Sequence, residues 1–185
     1  MQKQDIVFEG ERIIGEQIYI RPITKDDTDN IIKWRNSDAV RPYFIYQKDF
    51  TRESHEHWLD TMIFSGKGFQ FIICDKETDE PLGSSFLRDY DTEHNKSEYG
   101  IFLGENKTKG RGIGVEANIL TLAFAFEKKK MHKVFSRIFV DNEPSIRMVK
   151  RAGMTEEGIL RGTVRVKGVY RDMALLSILE DDWKL

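Results

Sequence analysis

From residue 109 to residue 114 the chain reads Lys109-Gly110-Arg111-Gly112-Ile113-Gly114, glycine alternating with basic and apolar residues immediately ahead of a helical pattern. The helix runs from Gly112 to about Lys128 and buries Val115, Ile119, Leu122, Ala123 and Phe126 at helical spacing. A helix N-terminus has unpaired N–H groups and a partial positive charge, so it attracts phosphate. Glycine lets that backbone approach oxygen atoms without a Cβ in the way. Lys107, Lys109 and Arg111 add positive charge around the turn, and a diphosphate is its natural guest. A plain flexible glycine loop is the bland alternative. A phosphate-loop NTPase needs Gly-Lys-Ser/Thr, whereas Val115-Glu116 follows Gly114, and that reading fails. A dinucleotide fold wants Gly-x-Gly-x-x-Gly; Asp141 sits at a suitable strand end, but the glycine spacing is wrong.

The elements around the turn read as a mixed α+β sheet. Ile18 to Ile23 is a first strand, Thr24 caps a helix through Trp34, and Thr51 opens a second helix with Trp58, Leu59, Met62 and Ile63 inward. Phe69–Cys74 and Pro81–Arg88 form an antiparallel hairpin, followed by a strand over Glu98–Leu103. After the glycine-led helix come a strand over Lys133–Val140, a short helix from Asp141-Asn142 to Gly153, and strands around Thr155–Leu160 and Tyr170–Leu179. The strand before the glycine turn and the strand after its helix form one crossover with parallel strands; the remaining strands are mostly antiparallel. About seven strands and about four helices are expected, in one domain over residues 1–185.

Composition narrows the function classes. The chain has 185 residues, 39% of them hydrophobic, and a formal net charge of -2, which argues against a general nucleic-acid binder. Cys74 is the lone cysteine, and His55 and His57 lie two apart on different helix faces, so no metal site is expected. His94 and His132 read as surface or packing residues, and Lys128-Lys129-Lys130 as a solvated helix end. No apolar run approaches the roughly 20 residues that span a bilayer. A cytoplasmic location is expected, without a membrane partner.

Several motifs in order resemble the GNAT superfamily of N-acetyltransferases. They are Glu98-Tyr99-Gly100-Ile101-Phe102-Leu103, then Lys109 to Gly114, then Asn142, then Lys150-Arg151-Ala152-Gly153-Met154. The family's turn is Arg/Gln-x-x-Gly-x-Gly/Ala, and Lys109 stands at the Arg/Gln position. The resemblance implies a GNAT fold whose mixed sheet splays between two parallel strands, with acetyl-CoA as cosubstrate. It implies that the backbone of Ile101, Phe102 and Leu103 pairs with the pantetheine arm, that Arg111, Gly112, Ile113 and Gly114 hold the pyrophosphate with Lys109 beside them, and that Asn142 bonds the pantetheine.

Acetyl transfer from a thioester to an amine needs a base for the ammonium, a donor for the oxyanion and an acid for the thiolate. Glu98 is the candidate base, directly or through a water, against an ordinary strand-end glutamate. Many members of the superfamily carry a tyrosine seven residues after the asparagine, where this chain has Val149. Asn142-Glu143-Pro144-Ser145 instead resembles the ribosomal-protein N-terminal acetyltransferases, whose serine is the proposed acid, so Ser145 takes that place against a plain helix-start serine. In this superfamily the N-terminal helices form the acceptor side, which puts Arg35, Asn36 and Tyr43 there as substrate candidates. Arg35 suits a carboxylate or phosphate; ordinary core and surface roles stay open. The acceptor is a primary amine, either a protein N-terminus or a small amine, with amino sugars and polyamines as alternatives. A homodimer is allowed. A non-catalytic acetyl-CoA sensor and a nicotinamide-dependent enzyme remain as competing classes.

Overall fold

Apolar residues alternate along the first long strand, and the alternation dictates two covered sheet faces. In the computed structural model, which describes residues 5–104, 108 and 110–183, Ile18 and Ile20 face one way and Tyr19 the other, all three buried. Ile18 and Ile20 pack with Phe71, Ile73 and Leu82 against Ile113, Ala117 and Leu120 of the glycine-led helix. Tyr19 packs with Ile72, Cys74 and Phe102 against Ile31, Trp34 and Leu59 of the N-terminal helices. Burial on both faces explains why Phe69–Asp75 is apolar nearly throughout.

Among the described residues nine strands form one sheet in the order β1-β2-β3-β4-β5-β6-β7-β9-β8. They are β1 (Val7–Glu9), β2 (Arg12–Ile14), β3 (Ile18–Pro22), β4 (Phe69–Asp75), β5 (Pro81–Asp91), β6 (Lys96–Leu103), β7 (Lys133–Phe139), β8 (Thr155–Val166) and β9 (Val169–Leu179). The helices are α1 (Thr28–Arg35), α2 (Arg52–Trp58), α3 (Ile113–Ala123) and α4 (Glu143–Arg151). β6 and β7 are parallel and joined through α3, while the other pairs are antiparallel.

Three differences from the sequence reading have local causes. The hairpin β1–β2 was not expected, because its strands are only three residues long; its turn at Gly10 takes φ of 57°. The first helix starts later than Thr24, since Lys25–Asp27 forms a tighter turn in which Thr24 and Asp27 cap each other and Asp27 ion-pairs with Arg21 at 2.7 Å. The last hairpin is longer than expected because Lys167 and Gly168 both adopt positive φ, the conformation a two-residue hairpin turn requires.

Candidate functional site

Parallel pairing between β6 and β7 covers only Lys96–Glu98 against Lys133–Phe135. Beyond Glu98, β6 keeps its partner β5 through Leu103, and β7 keeps β9 through Phe139. The two strands therefore part in mid-sheet. The β7-facing backbone edge of Ile101, Phe102 and Leu103 has no strand beside it, which is what an added extended chain needs.

At the mouth of this gap stands α3. Gly112 is its N-cap with φ of 78°, and Gly110 has φ of 76°. A side chain at either would meet open space, so the backbone conformation alone calls for glycine there. Gly114 has a different reason. A Cβ there would lie 2.6 Å from the Met148 sulfur, so Gly114 lets α3 and α4 approach closely. The Gly112 carbonyl accepts from the amides of Val115 and Glu116 at 3.0 and 3.1 Å, which leaves those of Ile113 and Gly114 as the N-terminal donors of the helix. Arg111 directs its guanidinium to Asp75 at 3.2 Å, and Gln17 ties the turn by donating to the Arg111 carbonyl. Lys109 and Lys107 lie outside the described residues.

On the other side of the gap, Asn142 caps α4. Its Oδ1 accepts from the Ser145 amide at 3.4 Å, which leaves the side-chain NH2 as its donor toward the gap. Ser145 sits half-buried in the first turn of α4 and lines the same cavity as Asn142, Leu103 and Met148. That cavity, of about 950 Å³, runs from these residues through the gap to an aromatic wall built from α1, α2 and the segment between them.

Glu98 occupies the point where the strands part, and it is 3% exposed. Its Oε1 accepts from Arg137 Nε at 3.0 Å, and its Oε2 accepts from Arg137 Nη2 at 2.8 Å and Arg88 Nε at 3.0 Å. The carboxylate thus ties β5, β6 and β7 together, and its hydrogen bonds hold the Arg137 proton more tightly than usual. The surroundings differ from those of an ordinary strand-end glutamate: a register pair on β5 and a cation on β7 engage both oxygens.

The acceptor-side candidates separate. Arg35 is 8% exposed, lines the cavity, and lies with Cζ 3.4 Å from the Phe44 ring centre. Burial, with Arg41 and Arg88 nearby, lowers its pKa to about 10. Tyr43 stands half in solvent at the cavity rim. Asn36 is engaged elsewhere in the fold. Its side chain donates to the Phe50 carbonyl and accepts from the Phe50 amide, both at 2.8 Å, so it fixes the segment before α2 instead of offering those bonds to an acceptor.

Two further residues line the cavity, offered by the sequence only as a helix histidine and a strand tyrosine. His55 is fully buried, its Nδ1 3.1 Å from Thr28 Oγ1, and its Nε2 has no partner among the described residues. Burial lowers its pKa to about 4, against the opposite pull of Glu56 and Asp27. The ring is therefore neutral near pH 7. Tyr99 carries a buried hydroxyl without a hydrogen-bond partner among the described residues, and burial pushes its pKa well above the usual value. Only the tertiary fold sets either environment; alternation on β6 places Tyr99 on the α4 side, which is the one signal the sequence offered. Among the described residues no group of His, Cys, Asp and Glu has the arrangement of a metal site, and no helix is long and apolar enough to cross a membrane.

Comparison with known proteins gives a consistent answer. Residues 17–155 match the family model described as Acetyltransferase (GNAT) domain. An uncharacterized N-acetyltransferase, p20, of Bacillus licheniformis is 26% identical over 177 residues, covering 94% of this chain and 98% of that protein. A protein named as a ribosomal N-acetyltransferase, YdaF of Bacillus subtilis (strain 168), is 29% identical over 102 residues, 55% of each chain. Among solved structures, a spermidine N-acetyltransferase from Vibrio cholerae in complex with CoA and spermine superposes with a TM-score of 0.82 at 20% identity, over 90% of this chain and 97% of that one. At that identity the likeness concerns the fold.

Proposed function

The chain belongs to the GNAT acetyltransferases, and from that premise we propose that it moves the acetyl group of acetyl-CoA onto a primary amine that enters from the aromatic side of the cavity. One observation carries the proposal: the cavity at the gap between β6 and β7 is large enough for an acceptor, and its lining residues Leu103 and Met148 stand beside Gly114 at the start of α3. The amides at Gly112, Ile113 and Gly114, with Arg111 beside them, suit the pyrophosphate, and the free edge of Ile101 to Leu103 with the Asn142 NH2 suits the pantetheine. Bound there, acetyl-CoA supplies an activated thioester.

The chain's residues then have three tasks. The backbone amides of β6 at the gap are placed to donate to an oxyanion. Three guanidiniums on the cavity wall, Arg35, Arg88 and Arg137, outnumber the carboxylates Glu98 and Asp89, so a bound amine sheds its proton more readily than in water. On this reading Glu98, from within its arginine pair, takes that proton through a water, and Ser145 returns one to the thiolate.

The polyamine reading is the second one, favoured by the Vibrio cholerae structure named with spermine. An excess of positive charge on the wall weighs against it. Steady-state CoA release with spermidine, amino sugars and N-terminal peptides tests the choice. Turnover is expected on amines of low positive charge; a clear preference for spermidine would replace the reading.

A further inference from the structure

We propose that the acceptor carries, besides its amine, an anionic group, a carboxylate or a phosphate, that docks on the guanidinium of Arg35; this rests on the transferase reading above. Arg35 closes α1 and is more than nine-tenths buried, yet its Nη1 is inaccessible and has no hydrogen-bond partner among the described residues. What surrounds it are aromatic rings, Phe44 at 3.4 Å, Phe50 at 5.2 Å and Phe102 at 6.0 Å from Cζ. Rings satisfy the charge in part but accept no in-plane hydrogen bonds.

Four other arginines differ in having a carboxylate partner, although Arg41 Nε is also buried without a hydrogen-bond partner among the described residues. Arg21 pairs with Asp27, Arg41 with Asp49, and both Arg88 and Arg137 with Glu98, at 2.7 to 2.9 Å. The charged groups whose fields reach Arg35 most strongly are Arg41 and Arg88, both of its own sign. A buried cation left this way is costly to the folded chain, and it is understandable where a ligand completes it. A guanidinium donates charge-assisted N–H···O bonds to a carboxylate or a phosphate, and the cavity that Arg35 lines is the acceptor cavity. A polyamine would bring more positive charge to the same spot.

The test uses matched acceptors: ω-amino acids of increasing length against their amides, O-phosphoethanolamine against ethanolamine, and spermidine. CoA release should give kcat/KM higher by about tenfold or more for the anionic member of the best pair. Which pair responds separates carboxylate from phosphate. Arg35→Met should bring that ratio close to one, and Arg35→Lys should restore part of it. Because Arg35→Met removes an unpaired buried charge, its Tm should equal or exceed that of the wild type; a large loss would mark a structural arginine and overturn the proposal.

A binding arm separates this proposal from the transferase reading. Calorimetry follows the N-acetyl derivatives of the same ω-amino acids, and of phosphoethanolamine, on CoA-loaded wild type and Arg35→Met. Anion binding that depends on Arg35, without CoA release from any amine, would sink the transferase reading and with it the acceptor, and leave Arg35 as an anion site alone. Equal kcat/KM within every pair and no Arg35-dependent binding would overturn this one and leave the transferase reading standing.

Discussion

The cavity has two ends built on different principles. At the proposed cofactor end the candidate groups are mostly backbone, the start of α3 and the open edge of β6, with the side chain of an N-cap asparagine beside them. Glycine conformation and a strand gap position them, and side chains play a small part. At the acceptor end the wall is made of side chains from α1, α2, β5 and β7, held by buried ion pairs and aromatic packing. The first kind of site suits a cosubstrate that many enzymes share, and the second suits a partner that differs between relatives.

Glu98 joins the two ends, so its loss should have the largest effect. Glu98→Gln leaves two guanidiniums without their carboxylate, and a cost of about 3 kcal/mol in urea unfolding is expected, the low end for a broken buried pair because Arg88 and Arg137 reach solvent. In protein that remains folded, the acid limb of the pH–rate profile should flatten. An unchanged limb would remove Glu98 as proton acceptor and leave it a strap across three strands.

Next comes acid sensitivity, which should belong to the acceptor end. His55 has a folded pKa of about 4 against about 6.5 when unfolded, so the unfolded chain binds its proton first as pH falls. Its stabilising contribution is complete above pH 6.5 and declines toward pH 4, by at most about 3 kcal/mol. Tm measured over that range should fall less steeply in His55→Gln than in the wild type. Parallel curves would show that the ring is not the group being titrated.

Ser145→Ala should lower kcat by up to about a hundredfold while acetyl-CoA affinity changes little. Tyr99→Phe is its control, since that hydroxyl lines the same cavity, buried and without a partner among the described residues. Normal turnover in Ser145→Ala with a loss in Tyr99→Phe would transfer the acid role to the strand. The smallest effect is expected at the turn: Gly112→Ala forces a Cβ into the left-handed region, at about 1 kcal/mol, and should weaken acetyl-CoA several-fold without altering the preference among amines. A changed preference would erase the separation between the two ends.

This division also governs what the sequence could tell. Gly110, Gly112 and Asn142 announce their jobs because those jobs depend on local backbone: positive φ and a helix cap. Most of the fold was legible for a similar reason, through alternation in β3 and helical spacing in α3. The acceptor end was not. Arg88 and Arg137 meet Glu98 only through strand register, and no spacing rule links position 98 to position 137. Asn36 looked available because its bonds run to Phe50, across a segment without regular structure. Gly114 answers a further demand that only packing shows: a Cβ there would meet the Met148 side chain on α4.

The central claim is catalysis at the junction of these two ends, and release of free CoA thiol from acetyl-CoA by the purified protein tests it most directly. The account predicts release that saturates with a primary amine and yields the N-acetylated product in equal amount. Binding of acetyl-CoA with no amine-dependent release, across small amines, amino sugars and N-terminal peptides, would contradict it.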